Sequence, residues 1–252
     1  MFDLRGKAAL VTGGNGGIGL GMALGLARAG ASVAIAGRNA DKNAAALSRL
    51  EKVGGKAIAL LADVSQETSC RAMVGEAAER LGRLDILVNN AGINIRKAPQ
   101  DYTLDEWHKV LDANLTSAFV ASQAAYPFFL AQKGGKIINV GSMMSLFGAS
   151  FVAPYGASKG GLVQLTRALA TAWAKDNIQV NAVLPGWIDT DLTRRARSDV
   201  PGLHERVLGR TPAGRWGSAE DLAGVAVFLA SPASDFVTGT ALPVDGGYSA
   251  QG

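Results

Sequence analysis

The sequence predicts an α/β protein built on an open parallel sheet, and three observations carry that reading. Short apolar runs of strand length alternate along the chain with longer stretches of helical periodicity. The runs are apolar throughout, as strands covered on both faces are. Turn-forming residues collect at their ends, and the first such cluster, Thr12-Gly13-Gly14-Asn15-Gly16-Gly17-Ile18-Gly19, lies between a strand and a helix.

Composition sets the outer bounds. With 252 residues and 48% hydrophobic content the chain can bury a large core. The length allows one large domain or two small ones, and no internal linker divides it. The 25 basic and 21 acidic residues are interspersed, so neither a nucleic acid nor a membrane surface is expected as partner. Arg194, Arg195 and Arg197 form the densest cationic cluster and read as a solvated helix face. A single cysteine, Cys70, excludes an internal disulfide and a Cys-rich zinc site, and fits a reducing cytoplasm. Two histidines without ligand spacing give no expected metal. The uncharged stretch 8–27 behind Arg5 and Lys7 mimics a signal peptide or membrane span, but Thr12, Asn15 and seven glycines interrupt it.

Taken in order, residues 8–11 form the first strand and 20–29 a helix, with the glycine cluster between them. Free amides and the helix dipole at such a junction hold a pyrophosphate. Spacing alone leaves two registers, Gly14/Gly16/Gly19 and Gly13/Gly17/Gly19. The second strand, 32–36, ends at Gly37-Arg38-Asn39, where dinucleotide sites select the ribose. No acidic residue stands there to grip the 2′-hydroxyl of NAD. Arg38 suits the 2′-phosphate of NADP, so NADP(H) is preferred with NAD(H) as the alternative; stacking on adenine is its other reading.

A helix over 41–53, a strand over 56–61 leading to Asp63 and Val64, and a helix over 66–81 follow. The strand 84–88 stops at Asn89-Asn90-Ala91-Gly92, residues that bond locally and allow close approach of a ligand. Thr103 and Glu106 make a capping box that starts a long helix, with Asn114 inside it among apolar neighbours. A buried amide there needs a partner, structural or functional. The strand 136–140 delivers Gly141 and Ser142 at its carboxyl end, where open α/β sheets place their ligands.

In the next helix Tyr155 and Lys159 stand at i and i+4 on one face. A phenol titrates near 10 in water, so proton transfer at neutral pH needs a cation that favours the phenolate, and Lys159 is the candidate. Ser142 can then hydrogen-bond the oxygen of an alcohol or ketone while Tyr155 passes the proton. Alone, the pair reads equally as an aromatic packed under a snorkelling lysine. After the strand 178–184 and Pro185-Gly186, residues 187–217 lose the strand and helix rhythm and read as a substrate-covering lid. A helix over 218–230 and a strand over 240–244 end the pattern.

From about Leu4 to Gly247 these features resemble the short-chain dehydrogenase/reductase family: Thr12-Gly13-x-x-x-Gly17-x-Gly19, Asn89-Asn90-Ala91-Gly92, Asn114, Ser142, Tyr155-x-x-x-Lys159, and Pro185-Gly186 with Thr190. The resemblance implies a single-domain, doubly wound Rossmann sheet of about seven strands with helices on both faces. It selects the Gly13, Gly17, Gly19 register. It implies Tyr155 as catalytic acid/base, Ser142 orienting the substrate oxygen, Lys159 lowering the phenol's pKa and holding the nicotinamide ribose, and Asn114 on a water-linked proton path. Cofactor contacts are expected from Gly13, Asn15, Gly17, Ile18, Gly19, Arg38, Asn39, Asp63, Val64, Asn90, Ala91, Gly92, Pro185, Gly186, Ile188 and Thr190. A homo-oligomer, tetramer or dimer, is also implied.

Within the family, Gly37-Arg38-Asn39, Ile93-Asn94-Ile95-Arg96 and Pro212-Ala213-Gly214-Arg215-Trp216-Gly217 are similar to the branch acting on gluconate-type sugar acids. Arg96 is then the candidate for a substrate carboxylate, with a plain surface charge as its other reading. Met144 and Trp187 join Ser142 and Arg96 as candidate substrate contacts. A reductase of 3-oxoacyl thioesters or general carbonyls is the alternative. A non-catalytic NADP sensor would need the glycine loop but not Ser142, Tyr155 and Lys159 together. A serine hydrolase at Ser142 is disfavoured because Val140 occupies the first glycine of Gly-x-Ser-x-Gly, and neither His108 nor His204 sits in a partner motif.

Overall fold

The architecture, seen in a computed structural model that describes residues 1–251, is one seven-stranded parallel sheet with helices on both faces. In chain order the elements are β1 (Ala8–Thr12), α1 (Gly17–Arg28), β2 (Ser32–Gly37), α2 (Ala40–Glu51), β3 (Ala57–Leu61), α3 (Glu67–Leu81) and β4 (Ile86–Asn89). Then come α4 (Leu104–Leu111), α5 (Ser117–Ala131), β5 (Gly135–Val140), α6 (Ala153–Trp173), β6 (Ile178–Pro185), α7 (Asp191–Asp199), α8 (Leu203–Arg210), α9 (Ala223–Ala230) and β7 (Ala241–Val244).

The strand order is β3-β2-β1-β4-β5-β6-β7, so the chain works outward from β1 to one edge, returns to β4 beside β1, and proceeds to the other edge. Where the direction reverses, the loops after β1 and β4 diverge and leave a crevice at the strands' carboxyl ends. The period of two along each strand builds two cores. Ala9, Val11, Val33, Ile35, Ile86 and Val88 face the layer of α1 and α9, while Leu10, Ala34 and Leu87 face that of α3, α5 and α6. Continuous apolar runs are what a sheet buried on both faces requires.

Two elements differ from the sequence expectation. The long helix after Thr103 forms with its capping box, Glu106 N donating to Thr103 Oγ1 at 3.2 Å and Thr103 N to Glu106 Oε2 at 3.1 Å. Between α4 and α5, however, Asp112–Thr116 winds as a π-helix, which widens one turn at Asn114. The stretch 187–217 is not an irregular loop, since it contains α7 and α8. These helices are nine and eight residues long and bury only Ala196, or Leu203 and Val207, too few positions to display a helical period. The arginine cluster lies on α7, with Arg194 and Arg195 exposed and Arg197 half-buried. Among the described residues no helix is long and apolar enough to cross a membrane.

Candidate active site

The crevice between the ends of β1 and β4 is a trough of about 350 Å³. One wall is the glycine loop, where Gly13 and Gly17 take φ of 62° and 49°, a region side chains disfavour. A Cβ on Gly19 would stand 2.4 Å from both Asn90 Nδ2 and Gly13 O, so only glycine lets α1 start this close to the end of β4. The N-cap of α1 is Gly16, which offers no side-chain cap, and the first turn holds no acidic residue. Its free N–H groups and positive dipole end therefore serve the trough, whose wall includes Gly16, Gly17 and Ile18. An uncapped, glycine-lined helix start of this kind fits a dinucleotide's pyrophosphate.

The opposite wall is Asn90, Ala91 and Gly92, fixed by a residue whose part the sequence does not announce. Thr12 Oγ1 accepts from Asn90 N at 3.0 Å and Ala91 N at 3.1 Å while donating to Val88 O at 3.3 Å. The far end holds Arg38, Asp63 and Val64, with Arg38 Nη1 3.8 Å from Asp63 Oδ2. Burial opposes the Asp63 charge, but hydrogen bonds from Ser65 and the Arg38 guanidinium outweigh it and hold the carboxyl below its usual range. Asn39 is not in the wall; its side chain caps α2 by accepting from Lys42 N at 2.8 Å. Asn15 is placed by Asn43, which accepts from it at 2.7 Å and donates to Gly37 O and Leu60 O. The clue to Asn43 was a buried amide on the face of α2 shared with Ala46 and Leu50.

Tyr155 and Lys159 line the inner end, and Tyr155 also lines a second cavity of about 150 Å³. Ser142, Arg96, Met144 and Trp187 line this second cavity, as do Pro185, Gly186, Ile188 and Thr190, of which Thr190 also reaches the trough. The two spaces thus meet at the phenol. Asn94, to which the sequence reading gave no role, also stands in the wall of the second cavity. Arg96 Nη1 lies 4.0 Å from Asp199 Oδ2 of α7.

Burial raises the Tyr155 pKa, while the Ser142 hydroxyl, as hydrogen-bond partner, and the Arg96 charge pull it back. Lys159 is 4% exposed, and burial pulls its pKa down to about 8. Its Nζ donates to Val140 O at 2.7 Å and lies 5.8 Å from the centre of the Tyr155 ring. Arg96 is thus a second cation close to the phenol besides Lys159, one that the helical spacing of Tyr155 and Lys159 gave no reason to expect.

Asn114, in the π turn, lies behind the wall. Its Oδ1 accepts from Ile93 N at 2.8 Å, and its Nδ2 donates to Ile93 O and Ser158 Oγ, both at 3.0 Å. It therefore ties the Gly92 loop to the Tyr155 helix.

Residues 13–249 match the family described as enoyl-(acyl carrier protein) reductase. The 2-dehydro-3-deoxy-D-gluconate 5-dehydrogenase of Formosa agariphila is 43% identical, covering 99% of this chain and 95% of that one. The structure of a gluconate 5-dehydrogenase from Burkholderia cenocepacia in complex with NADP and tartrate superimposes with a TM-score of 0.93 at 42% identity, over 100% of this chain and 98% of that one. A short-chain type dehydrogenase/reductase from Mycobacterium marinum gives 0.93 at 39%, over 98% and 97%. With sheet, glycine loop and tyrosine helix in these positions, the chain belongs to the short-chain dehydrogenase/reductase family of nicotinamide-dependent oxidoreductases.

Proposed function

We infer that the protein interconverts a secondary alcohol and a ketone on a gluconate-type sugar acid, with NADP(H) preferred over NAD(H). The observation that carries the substrate class is Arg96, a cation in the wall of the same cavity as Tyr155 and Ser142. It gives a substrate carboxylate a partner beside the reacting carbon. Relatives named for gluconate derivatives, one bound to NADP and the dicarboxylate tartrate, support the same reading.

The glycine loop and α1 would hold the pyrophosphate, Arg38 the 2′-phosphate, and Lys159 the nicotinamide ribose. When bound, the nicotinamide gives or takes the hydride. Tyr155 gives its hydroxyl proton to the carbonyl oxygen in reduction and takes the alcohol proton in oxidation. Ser142 orients that oxygen. Asn114 positions the wall through Ile93.

Residues 187–217 act as the lid. A small core of their own, Ala196, Leu203 and Val207 packed with Trp187, Val200 and Trp216, supports movement as a unit. Exposed Phe119 and Leu130 on α5 support a homo-oligomer, and the free, buried Cys70 a reducing cytoplasm.

The test is a panel of sugar acids, polyols and keto esters with NADPH, NADH and their oxidised forms, read by nicotinamide absorbance. Turnover of a keto-gluconate with NADPH, abolished in Tyr155→Phe with NADPH binding retained, is expected. Retained turnover in that variant would defeat the mechanism, and a preference for keto esters would defeat the substrate class.

A further inference from the structure

Almost every buried polar side-chain atom among the described residues has a partner; the exceptions are Asn94 Oδ1 and Trp187 Nε1. Both residues line the cavity that holds Ser142, Arg96 and Tyr155. An unpaired buried acceptor or donor is costly, so interiors keep few of them and seldom without a use. Here the two come from distant parts of the chain, one from the segment after β4 and one from the foot of the lid, and are of opposite polarity. An indole N–H only donates. A side-chain amide presents both a donor and an acceptor, and in Asn94 it is the acceptor that is buried and unpaired.

We propose that Asn94 and Trp187 are specificity-determining residues that read hydroxyl groups on the substrate carbons next to the reacting one. This rests on the sugar-acid reading above and adds to it what distinguishes a polyhydroxylated acid from a plain keto acid. A hydroxyl can donate to Asn94 Oδ1, and a second hydroxyl oxygen can accept from Trp187 Nε1. Neither atom is open to water, so pairing requires the Asn94 amide to rotate and the lid foot carrying Trp187 to shift. Recognition and closure of 187–217 are then one event. A keto acid without hydroxyls would leave both groups unpaired, which is how a polar site rejects an analogue lacking the group it reads.

The experiment compares a keto-gluconate with a keto carboxylate of similar length lacking the neighbouring hydroxyls, using wild type, Asn94→Leu and Trp187→Phe with NADPH. Each substitution should lower the ratio of kcat/KM values, hydroxylated over deoxy, by about 10- to 100-fold. NADPH affinity, read by fluorescence, should be unchanged. Because Asn94→Leu removes an unsatisfied polar group, its melting temperature should equal or exceed that of wild type. An unchanged ratio, or a lower melting temperature in Asn94→Leu, would show a structural role and overturn the proposal while leaving the sugar-acid reading intact. A wild type that favours the deoxy acid, or turns over neither, would overturn both.

Discussion

Lys159 Nζ donates to Val140 O at 2.7 Å, holding an ammonium against the carboxyl end of β5 in a setting that draws its pKa from 10.5 to about 8. The shift makes stability depend on pH. Between about 8 and 10.5 the unfolded chain binds the proton that the folded chain has released, so this group's contribution to stability rises with pH through that window. Below pH 8 the buried charge imposes its full cost, on the order of 3 kcal/mol. Lys159→Met should therefore melt higher than wild type at pH 7, with the gap closing towards pH 10, while turnover is lost. A gap independent of pH, in thermal melts without added nucleotide, would refute the assignment.

Tyr155 sets the pH dependence of direction. Because burial raises its pKa, the phenol stays protonated through neutrality, the form that donates to a ketone. Reduction should hold near neutral pH and fall as the medium becomes alkaline, whereas oxidation, which needs the phenolate, should rise. Arg96→Leu removes a charge that favours the phenolate, so the alkaline limb of oxidation should move to higher pH. An unmoved limb would show that Arg96 does not act on the phenol.

Arg38 should decide between the two nicotinamide cofactors. It lies in the trough wall with its guanidinium mostly exposed and only a long 3.8 Å contact to Asp63, so it is free to meet a phosphate. Arg38→Asp should weaken NADPH binding about 10- to 100-fold, the worth of a charged hydrogen bond, and leave NADH binding equal or tighter. Fluorescence titration with both nucleotides decides it, and equal loss for the two would remove Arg38 from the phosphate.

How much of this was legible follows from what each residue's neighbours are. The strand 178–184 could be read because every position of β6 is buried, and the Tyr155–Lys159 pair because helix geometry fixes i and i+4. α7 could not, since its one buried residue, Ala196, gives no period. Asn94 lies in a segment with no regular structure, and its cavity is completed by Phe151 and Trp187 from far along the chain. Arg96 was legible as a cation near the trough, but not as a charge that shares a cavity with Tyr155.

Asn114 is a case where fold and site share one side chain. It is 2% exposed and satisfies both Ile93 N and Ile93 O. Asn114→Leu would leave those groups and Ser158 Oγ to find other partners, at about 1–3 kcal/mol for each left unsatisfied. A fall in melting temperature of several degrees is expected, together with weaker NADPH binding because Ile93 follows Gly92 in the trough wall. Asn114→Gln keeps an amide that can accept from Ile93 N and donate to Ile93 O, and should lose less. Equal losses in the two variants would argue against those bonds.

Two glycines inside helices should answer alanine in opposite ways. Each gains about 1 kcal/mol from the better helix former. At Gly75 of α3 a Cβ meets nothing within 4 Å, so Gly75→Ala should stabilise by nearly that amount. At Gly21 of α1 a Cβ would stand 2.1 Å from Ala219 O and 2.6 Å from Ala219 C, backbone atoms that cannot rotate away. The overlap must separate α1 from the turn that leads into α9, and overpacking of this kind costs about 1–3 kcal/mol or more, exceeding the helix gain. Gly21→Ala should thus lower the denaturation midpoint while Gly75→Ala raises it. A neutral Gly21→Ala in urea unfolding would mean that the α1 and α9 layer is more compliant than its backbone contact implies.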